Sequence, residues 1–326
     1  MKKIIGSCLA SLYGAIVGAS QSSYRAFPFR IKKVGARVIS VGNITWGGTG
    51  KTPLVVSLAR HLAEGGKKVA VLIRGYGKDE VALLQKNLPN VPVCVGRDRV
   101  KTAREAVGKF GAEVLILDDG FQHIRLHRDL DIVTINTTIP FGPGGLIPLG
   151  TLREPLENLK RAQVFILTKS NIGSKNLHWI RQRLHSIKPD AAIFEAVHRP
   201  IQFLDFKRNR YVPLGEVKDR KVASLSGIGD PYTFEKTIEN LGGQILLAAR
   251  YDDHHPYSQA ELLDFARRCR EVEVRDVITT EKDFFRIEPL LKGRLPQEIA
   301  NLNFLVLQIE FQVQDEEDFI RRCLNS

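Results

Sequence analysis

The chain has 326 residues, of which 43% are hydrophobic and 26% charged, and this composition excludes a disordered chain, a collagen-like chain and a polytopic membrane protein. The length predicts about two domains, or one large α/β domain. The four cysteines lie far apart in the sequence, which excludes a disulfide scaffold and indicates ordinary thiols in a reducing compartment.

The N-terminal fifth of the chain carries most of the net charge of +12, because nine basic residues precede Glu64, the first acidic residue. Such a segment is attracted to a nucleic acid or to an anionic lipid surface, or it serves only solubility. Residues 4–19 are mainly apolar or small, and fall short of the ~20 residues that a spanning helix needs. Their helical spacing favours an interfacial membrane helix, with a core-packed helix as the alternative. A secretory signal peptide fits poorly, because the glycine-rich motif at residues 42–52 indicates a cytoplasmic protein.

From residue 37 onward, strand-like and helix-like segments alternate, which is typical of a parallel sheet with helices on both faces. Strands are predicted at 37–41, 69–73, 114–117, 131–136 and 164–168, and helices at 51–63 and 100–110. The Gly- and Pro-rich stretch 140–155 is predicted to be a functional loop. The alternation restarts after about residue 199, with strands at 222–225, 244–249, 277–279 and 304–309 and helices at 231–241 and 258–269.

These segments predict three parts. Residues 1–35 form the interfacial helix with its basic flank, 36–200 form a P-loop core, and 201–326 form a smaller second α/β lobe. A boundary or hinge is expected near residues 199–221.

A phosphate-binding loop follows the first predicted strand. Residues 42–52 have the sequence GNITWGGTGKT, between a strand and a helix. Glycines let backbone N–H groups turn toward a phosphate, and the N-terminus of the helix adds positive charge. In such a loop, Lys51 contacts the β- and γ-phosphates, and Thr52 is a ligand of Mg²⁺. The sequence departs from the strict motif by having Thr45 where glycine is usual.

Two carboxylates, Asp118 and Asp119, follow the apolar run 114–117, where P-loop enzymes place acidic residues for the metal. The segment 168–171 (TKSN) lacks the aspartate of a guanine-reading motif, which favours ATP over GTP.

Several motifs together resemble the tetraacyldisaccharide 4′-kinases of lipid A biosynthesis. The matching segments are Gly42–Pro53 (GNITWGGTGKTP), Arg74–Gly77 (RGYG), Asp118–His123 (DDGFQH), Leu152–Pro155 (LREP), Gly227–Asp230 (GIGD), Asp253-His254 (DH) and Thr280–Asp283 (TEKD). The resemblance implies transfer of the γ-phosphate of ATP, with Mg²⁺, to the 4′-hydroxyl of a tetraacyldisaccharide 1-phosphate, which gives lipid IVA. It also implies a peripheral protein on the cytoplasmic face of the bacterial inner membrane.

The resemblance further implies roles for individual residues. The ATP cradle is formed by Thr45, Trp46, Gly47, Gly48, Thr49, Gly50, Lys51 and Thr52. The metal site is formed by Thr52, Glu80, Asp118 and Asp119. Asp79 and His254 act together on the acceptor hydroxyl, although the short segment after RGYG leaves Glu80 as an alternative to Asp79, and His255 neighbours His254. Arg153 and Arg99 are candidates for phosphate contacts, with surface salt bridges as the alternative. His123 is expected to be structural.

Two other functions fit parts of the sequence. A P-loop enzyme that acts on a soluble small molecule has no use for the apolar N-terminus. A nucleic-acid-dependent ATPase needs basic and aromatic residues interleaved along one face, whereas here the positive charge adjoins an apolar segment. The predicted partners are therefore the acylated disaccharide and the membrane surface, with no nucleic acid and no obligate protein partner.

Overall fold

A computed structural model describes residues 2–75 and 78–325 of the chain, with the backbone alone at residues 2–5, 8, 25, 78 and 79. The helices are α1 (Lys2–Ala26), α2 (Lys51–Glu64), α3 (Lys78–Asn87), α4 (Arg99–Phe110), α5 (Leu177–Ile187), α6 (Pro231–Asn240), α7 (Gln259–Glu271), α8 (Glu281–Ile287), α9 (Gln297–Ala300) and α10 (Glu316–Asn325). The strands are β1 (Arg37–Gly42), β2 (Val69–Ile73), β3 (Val93–Val95), β4 (Val114–Asp118), β5 (Leu130–Asn136), β6 (Val164–Thr168), β7 (Ala192–Asp205), β8 (Arg210–Val212), β9 (Lys221–Ser226), β10 (Gln244–Arg250), β11 (Asp276–Thr280) and β12 (Asn303–Val313).

The chain divides into two compact units. The first contains residues 1–197 and 311–326, and the second contains residues 198–310. Both boundaries fall inside long strands, β7 and β12. The first, between residues 197 and 198, directly precedes the region 199–221 near which a boundary or hinge was predicted.

In the first unit, the strand order is β7-β6-β5-β1-β4-β2-β3, and the neighbouring strands are parallel. The two faces of β1 bury different residues, because side chains alternate along a strand. Ile39 and Val41 pack against α2, while Val38 packs in the cluster that includes residues of α4. The carboxyl ends of β1, β4, β5 and β6 meet at one edge of the sheet, where parallel α/β folds bind ligands.

In the second unit, the strand order is β10-β9-β11-β12-β7-β8. β9 is parallel to β10 and β11, and β8 is antiparallel to β7. Local signals set the helix ends here. Asp230 caps α6, and Ser258 with Glu261 forms a capping box at α7.

The predicted α/β class, parallel sheet and N-terminal helix are confirmed. The C-terminal residues differ from the predicted division, which assigned all of 201–326 to the second lobe. Phe319 and Cys323 of α10 are buried in the core of the first unit, and the Phe319 ring lies edge-on to Phe194 at a centroid distance of 5.6 Å. An amphipathic helix belongs with the core that buries its apolar side, so α10 groups with the first unit.

Candidate active site

The phosphate loop lies at the carboxyl end of β1, the central strand of the first unit. Val41 pairs with Asp118 of β4, and Gly42 pairs with Val133 of β5, so the loop leaves the sheet between two strand ends. Gly42 has no room for a side chain, since a Cβ there would lie 2.5 Å from Cβ of Phe121. Gly50 has φ of 81° directly before α2, a conformation that favours glycine. The predicted strand–loop–helix arrangement is thus present.

Threonines at two neighbouring strand ends hold the loop in place. The Thr49 and Thr134 hydroxyls are 2.8 Å apart, and the Thr168 hydroxyl donates to the Thr49 carbonyl at 3.1 Å. Thr134 and Thr168 were not predicted from the sequence. The signal was a threonine near the end of each predicted strand, but threonine is common in strands and carries little information alone.

The helix start and the β4 carboxylates meet at this edge. The Thr52 hydroxyl donates to Oδ2 of Asp118 at 3.1 Å, and Nζ of Lys51 lies 3.8 Å from Oδ1 of Asp119. Arg153 contacts both Asp119 oxygens, with Nη1–Oδ1 of 2.6 Å and Nη2–Oδ2 of 3.0 Å. The predicted Lys51, Thr52, Asp118, Asp119 and Arg153 therefore form one cluster.

The two aspartates have opposite electrostatic environments. Asp118 is only 5% exposed, and its burial raises its pKa to about 6, with the charges of Asp119 and Glu80 acting in the same direction. Burial also disfavours ionisation of Asp119, but the charges of Lys51 and Arg153 outweigh it and lower its pKa. Asp119 is therefore already neutralised by protein cations, whereas Asp118 has a deficit of positive charge.

Oδ1 of Asp118 is buried and has no hydrogen-bond partner among the described residues. Such an orphaned carboxylate oxygen beside the Thr52 hydroxyl matches the oxygen ligands that Mg²⁺ prefers. Glu80, half-buried on α3, is close enough for its charge to act on Asp118. No group of three or more His, Cys, Asp or Glu side chains able to hold a metal occurs in the described part of the chain. A nucleotide-bound Mg²⁺ takes most of its ligands from phosphates and water, so one or two protein carboxylates suffice.

Arg99 and His123 interact with neighbouring groups of the protein. Arg99 is 3% exposed, and its guanidinium donates to the carbonyls of Gly96 at 2.8 Å and of Asp118 at 3.3 Å. It therefore braces the end of β4 from within, and is not the surface salt bridge weighed as its alternative. Burial, together with the charges of Arg99 and Arg74, lowers the pKa of His123 to about 4, so His123 is neutral at pH 7.

His254 and His255 lie in the second unit, between β10 and α7. His255 is held by Glu261, with Nε2–Oε1 of 2.9 Å, and its ring stacks on Tyr251 at 4.5 Å. The His254 side chain is more exposed, at 39% against 21%, and its backbone has φ of 66°.

Cations surround the His254 ring. Its Nε2 lies 3.0 Å from Nζ of Lys282, and its Nδ1 lies 3.2 Å from Nη2 of Arg286. Lys282 also contacts Oδ1 of Asp253 at 2.9 Å. Both cations come from α8, within and just after the TEKD motif, and neither was predicted from the sequence.

The buried Asp283 organises this loop. It accepts from the Gly227 N–H at 3.0 Å, from the Tyr257 hydroxyl at 3.0 Å and from the Thr280 hydroxyl at 2.7 Å. The TEKD and GIGD motifs thus meet at one carboxylate. The side chain of Asp79, the predicted partner of His254, lies outside the described residues, as do Tyr76 and Gly77 of RGYG.

A phosphate loop at the end of a central parallel strand, with a lysine, a threonine and a buried aspartate, defines a P-loop nucleotide-binding enzyme. Comparison with known proteins narrows the class. The sequence model of the LpxK family, tetraacyldisaccharide-1-P 4′-kinase, matches residues 3–326. The chain belongs to this family of ATP-dependent kinases.

Individual relatives agree over most of their length. The tetraacyldisaccharide 4′-kinase of Syntrophus aciditrophicus is 36% identical, with 89% of this chain and 84% of that protein covered. The one of Halothermothrix orenii is 35% identical, with 96% and 89% covered. A crystal structure of LpxK from Aquifex aeolicus in complex with ATP is similar over 98% of both chains, at 30% identity and a TM-score of 0.73.

Proposed function

We propose that this enzyme transfers the γ-phosphate of ATP to the 4′-hydroxyl of a tetraacylated glucosamine disaccharide 1-phosphate and so produces lipid IVA. The observation that carries the proposal is the cluster of Lys51, Thr52 and Asp118 at the end of β1, in a chain of this family. The cluster combines a loop that can bind phosphates with a buried carboxylate, Asp118, whose burial is not offset by the positive charge around it.

The phosphate loop supplies position and charge. Backbone N–H groups of the loop 45–52 bind the phosphates, except that of Trp46, which donates to the Thr151 carbonyl. The Lys51 ammonium neutralises oxygens of the transferred group. The transition state of phosphoryl transfer is loose, so alignment and neutralisation of charge account for most of the catalysis. Arg153 adds a second cation near Asp119.

Thr52 and Asp118 would hold Mg²⁺, with Glu80 and Asp119 beside them. The bound ion would neutralise charge on the β- and γ-phosphates. The orphaned Oδ1 of Asp118 and its raised pKa support this role. Burial and the charges of Asp119 and Glu80 outweigh that of Lys51, so a further cation would stabilise the ionised carboxylate.

We assign the acceptor side to His254, assisted by Asp79. The oxygen of the 4′-hydroxyl bonds to the γ-phosphorus while the bond from that phosphorus to the β,γ-bridging oxygen breaks and ADP leaves. The hydroxyl proton passes to the His254 imidazole. The His254 side chain is the more exposed of the two, at 39% against 21%. Its ring nitrogens face Lys282 and Arg286, whereas His255 pairs with Glu261 and stacks on Tyr251.

We also propose a peripheral location on the cytoplasmic face of the inner membrane, which the exposed side of α1 supports. Large apolar side chains on one side of the helix and just beyond it are exposed. They are Leu9, Leu12, Ile16, Phe27 and Phe29. Exposed Arg30, Lys32 and Lys33 follow, and they suit anionic headgroups. Among the described helices, none combines the length and apolarity needed to cross a bilayer.

The test is incubation of the full chain with ATP radiolabelled on its γ-phosphate, MgCl₂ and the tetraacyldisaccharide 1-phosphate in detergent. A labelled lipid more polar than the acceptor is expected, and Lys51→Ala should form it at least about a hundredfold more slowly. An acceptor whose 4′-hydroxyl is already phosphorylated should stay unlabelled. Label in a water-soluble acceptor, with none in the lipid, would favour the alternative of a small-molecule kinase.

A further inference from the structure

The N-terminal helix α1 has a second side that packs against the protein. Gly6, Ala10 and Gly14 recur every fourth residue and so lie on one side of the helix. A Cβ on Gly6 would lie 2.7 Å from Leu149, and one on Gly14 would lie 2.7 Å from Leu146. The absence of side chains therefore lets α1 approach the loop after β5 closely.

Two polar side chains on this packed side reach the LREP segment. The Tyr13 hydroxyl donates to the carbonyl of Arg153 at 2.8 Å, and Nε2 of Gln21 donates to Oε2 of Glu154 at 2.6 Å. Both bonds join residues more than a hundred positions apart, so they bind separate parts of the first unit together.

The LREP segment is itself bonded to the phosphate loop. The Trp46 N–H donates to the Thr151 carbonyl at 2.7 Å, and the Arg153 N–H donates to the Ile44 carbonyl at 2.8 Å. Nη1 of Arg153 also contacts Oδ1 of Asn43 at 3.2 Å. Residues 151–153 therefore run beside residues 43–46 as an irregular ribbon, with α1 on the LREP segment.

The buried carboxylate of Glu154 links α1 to the residues around the phosphate loop. It is 0% exposed, pairs with Arg161 at 2.9 and 3.0 Å, and accepts from Gln122 at 2.7 Å. Gln122 in turn donates to the Asn43 carbonyl at 3.0 Å. A buried carboxylate needs all its partners, so the amide of Gln21 completes a set that would otherwise be short of one donor.

From these contacts we propose that the packed side of α1 sets the geometry of the phosphate loop, with Tyr13 and Gln21 as positioning residues for ATP binding. Tyr13 fixes the backbone that carries Arg153 opposite Asp119, and Gln21 fixes Glu154. The exposed side, with Leu9, Leu12 and Ile16, has no part in this function. The proposal rests on the loop as the ATP site, and does not depend on the identity of the acceptor.

The test measures binding of ATP with MgCl₂ to the full chain in detergent micelles by calorimetry, with no lipid acceptor present. Tyr13→Phe deletes only the hydroxyl, and we expect Kd for ATP to rise about two- to tenfold, the effect of one net hydrogen bond. Tyr24→Phe is the matched control, because Tyr24 lies near the C-terminal end of the same helix, where its ring contacts Arg30 at 5.3 Å.

A charge series at Gln21 separates positioning from general loss of stability. Gln21→Lys keeps a donor for Glu154 and should bind ATP within about twofold of wild type, Gln21→Leu should weaken binding, and Gln21→Glu should weaken it most, because it repels Glu154. Thermal unfolding of each variant identifies any that is misfolded. If Gln21→Glu is misfolded, the comparison of Gln21→Lys with Gln21→Leu still tests the proposal.

Substitutions on the other side of α1 complete the comparison. Leu12→Gln and Ile16→Gln should lower partition into anionic vesicles and leave Kd for ATP unchanged. Unchanged ATP affinity in Tyr13→Phe and Gln21→Leu, with both variants folded, would overturn the proposal. So would a rank order at Gln21 that ignores charge. Failure to phosphorylate the lipid would affect the proposed function alone, because this readout contains no acceptor.

Discussion

In the first unit, Asp118 and Asp119 lie at the end of strand β4 and Lys51 begins helix α2. In the second unit, His254 lies on a loop and is contacted by side chains of α8. The register of β1 with β4 places Asp118 beside Val41, and the Thr52 hydroxyl at the start of α2 donates to Asp118. His254 instead depends on a strained backbone with φ of 66° and on Lys282 and Arg286. The first arrangement suits a ligand that must be held rigidly, and the second suits a residue that acts once a hydroxyl arrives.

The largest expected effect concerns the acceptor side. Asp79→Ala and His254→Ala should each lower kcat by about 10²–10⁴, the usual contribution of a general base, with little change in KM for ATP. If the two act as one unit, the double variant should be no worse than either single variant. Steady-state kinetics with the lipid acceptor measures this.

Multiplicative losses in the double variant would show that Asp79 and His254 act independently. A near-normal kcat in Asp79→Ala would indicate that Glu80, and not Asp79, assists His254. His255→Ala is the matched control, and it should lower stability through loss of the Glu261 contact while keeping kcat within about tenfold, the order of one lost net hydrogen bond.

Next in size is the loss of the loop lysine. Lys51→Ala should lower phosphate transfer by about 10²–10³, as expected for a donor to transition-state charge. Lys101→Ala, at an exposed position of α4, is the control and should be neutral. Retention of more than about a tenth of wild-type activity would contradict the role of Lys51, since one charge-assisted hydrogen bond exceeds that effect.

Asp118→Asn should weaken activity while raising the stability of the protein without ligands. The variant should need at least about tenfold more Mg²⁺ for half-maximal activity, because a neutral amide binds the ion more weakly than a carboxylate. Without ATP and Mg²⁺ it should be more stable than wild type at pH 8, since burial raises the pKa of Asp118 from 3.8 to about 6. A shift of this size corresponds to up to about 3 kcal/mol of unfolding free energy.

The gain in stability of Asp118→Asn over wild type should decrease as the pH falls. The folded-state pKa of Asp118 lies above its ordinary value, so the cost of ionising it is present above pH 6 and disappears as the pH falls toward 3.8. The stability difference between Asp118→Asn and wild type should therefore shrink from pH 8 to pH 5 in denaturant titrations. A difference that stays constant over this range would contradict the buried-charge explanation.

The smallest effect is expected from the exposed side of α1. Leu9→Ser with Ile16→Ser should raise KM for the lipid in vesicles about tenfold or less, and should leave kcat in detergent unchanged. The two side chains are 50% and 60% exposed, so the cost comes from lost apolar contact with the bilayer and not from the protein core. An unchanged vesicle partition coefficient would count against the membrane role. Two point substitutions test this role more cleanly than a truncation of the N-terminus, because a truncation would also remove the packed side of α1.

The sequence predicted the elements whose signals are local. β2 and β6 have the predicted bounds, and α2 and α4 differ from them by one residue each. The phosphate loop and the two aspartates were predicted because one motif and one strand end specify them. The burial of Arg99 was not predictable from local signals. An arginine at a helix start does not indicate that its guanidinium will be buried and will donate to backbone carbonyls.

Other features depend on pairings that no local pattern contains. β7 was not predicted, because its residues are mostly half-buried along 192–205 and do not form an apolar run. Thr134 and Thr168 became part of the site through the strand order, and Lys282 and Arg286 through the fold of α8. The bonds from Tyr13 and Gln21 to the LREP segment join distant parts of the chain, so only the folded structure reveals them.

The most direct test of the difference between the two units is ATP affinity measured in parallel for two variants. With MgCl₂ and no acceptor, His254→Ala should bind ATP with the wild-type Kd while failing to phosphorylate the lipid. Lys51→Ala should lose at least about tenfold in ATP affinity, the effect of one charge-assisted hydrogen bond. Normal ATP binding by Lys51→Ala, or an equal loss of ATP binding by His254→Ala, would contradict the assignment of the nucleotide to the first unit and of the proton acceptor to the second.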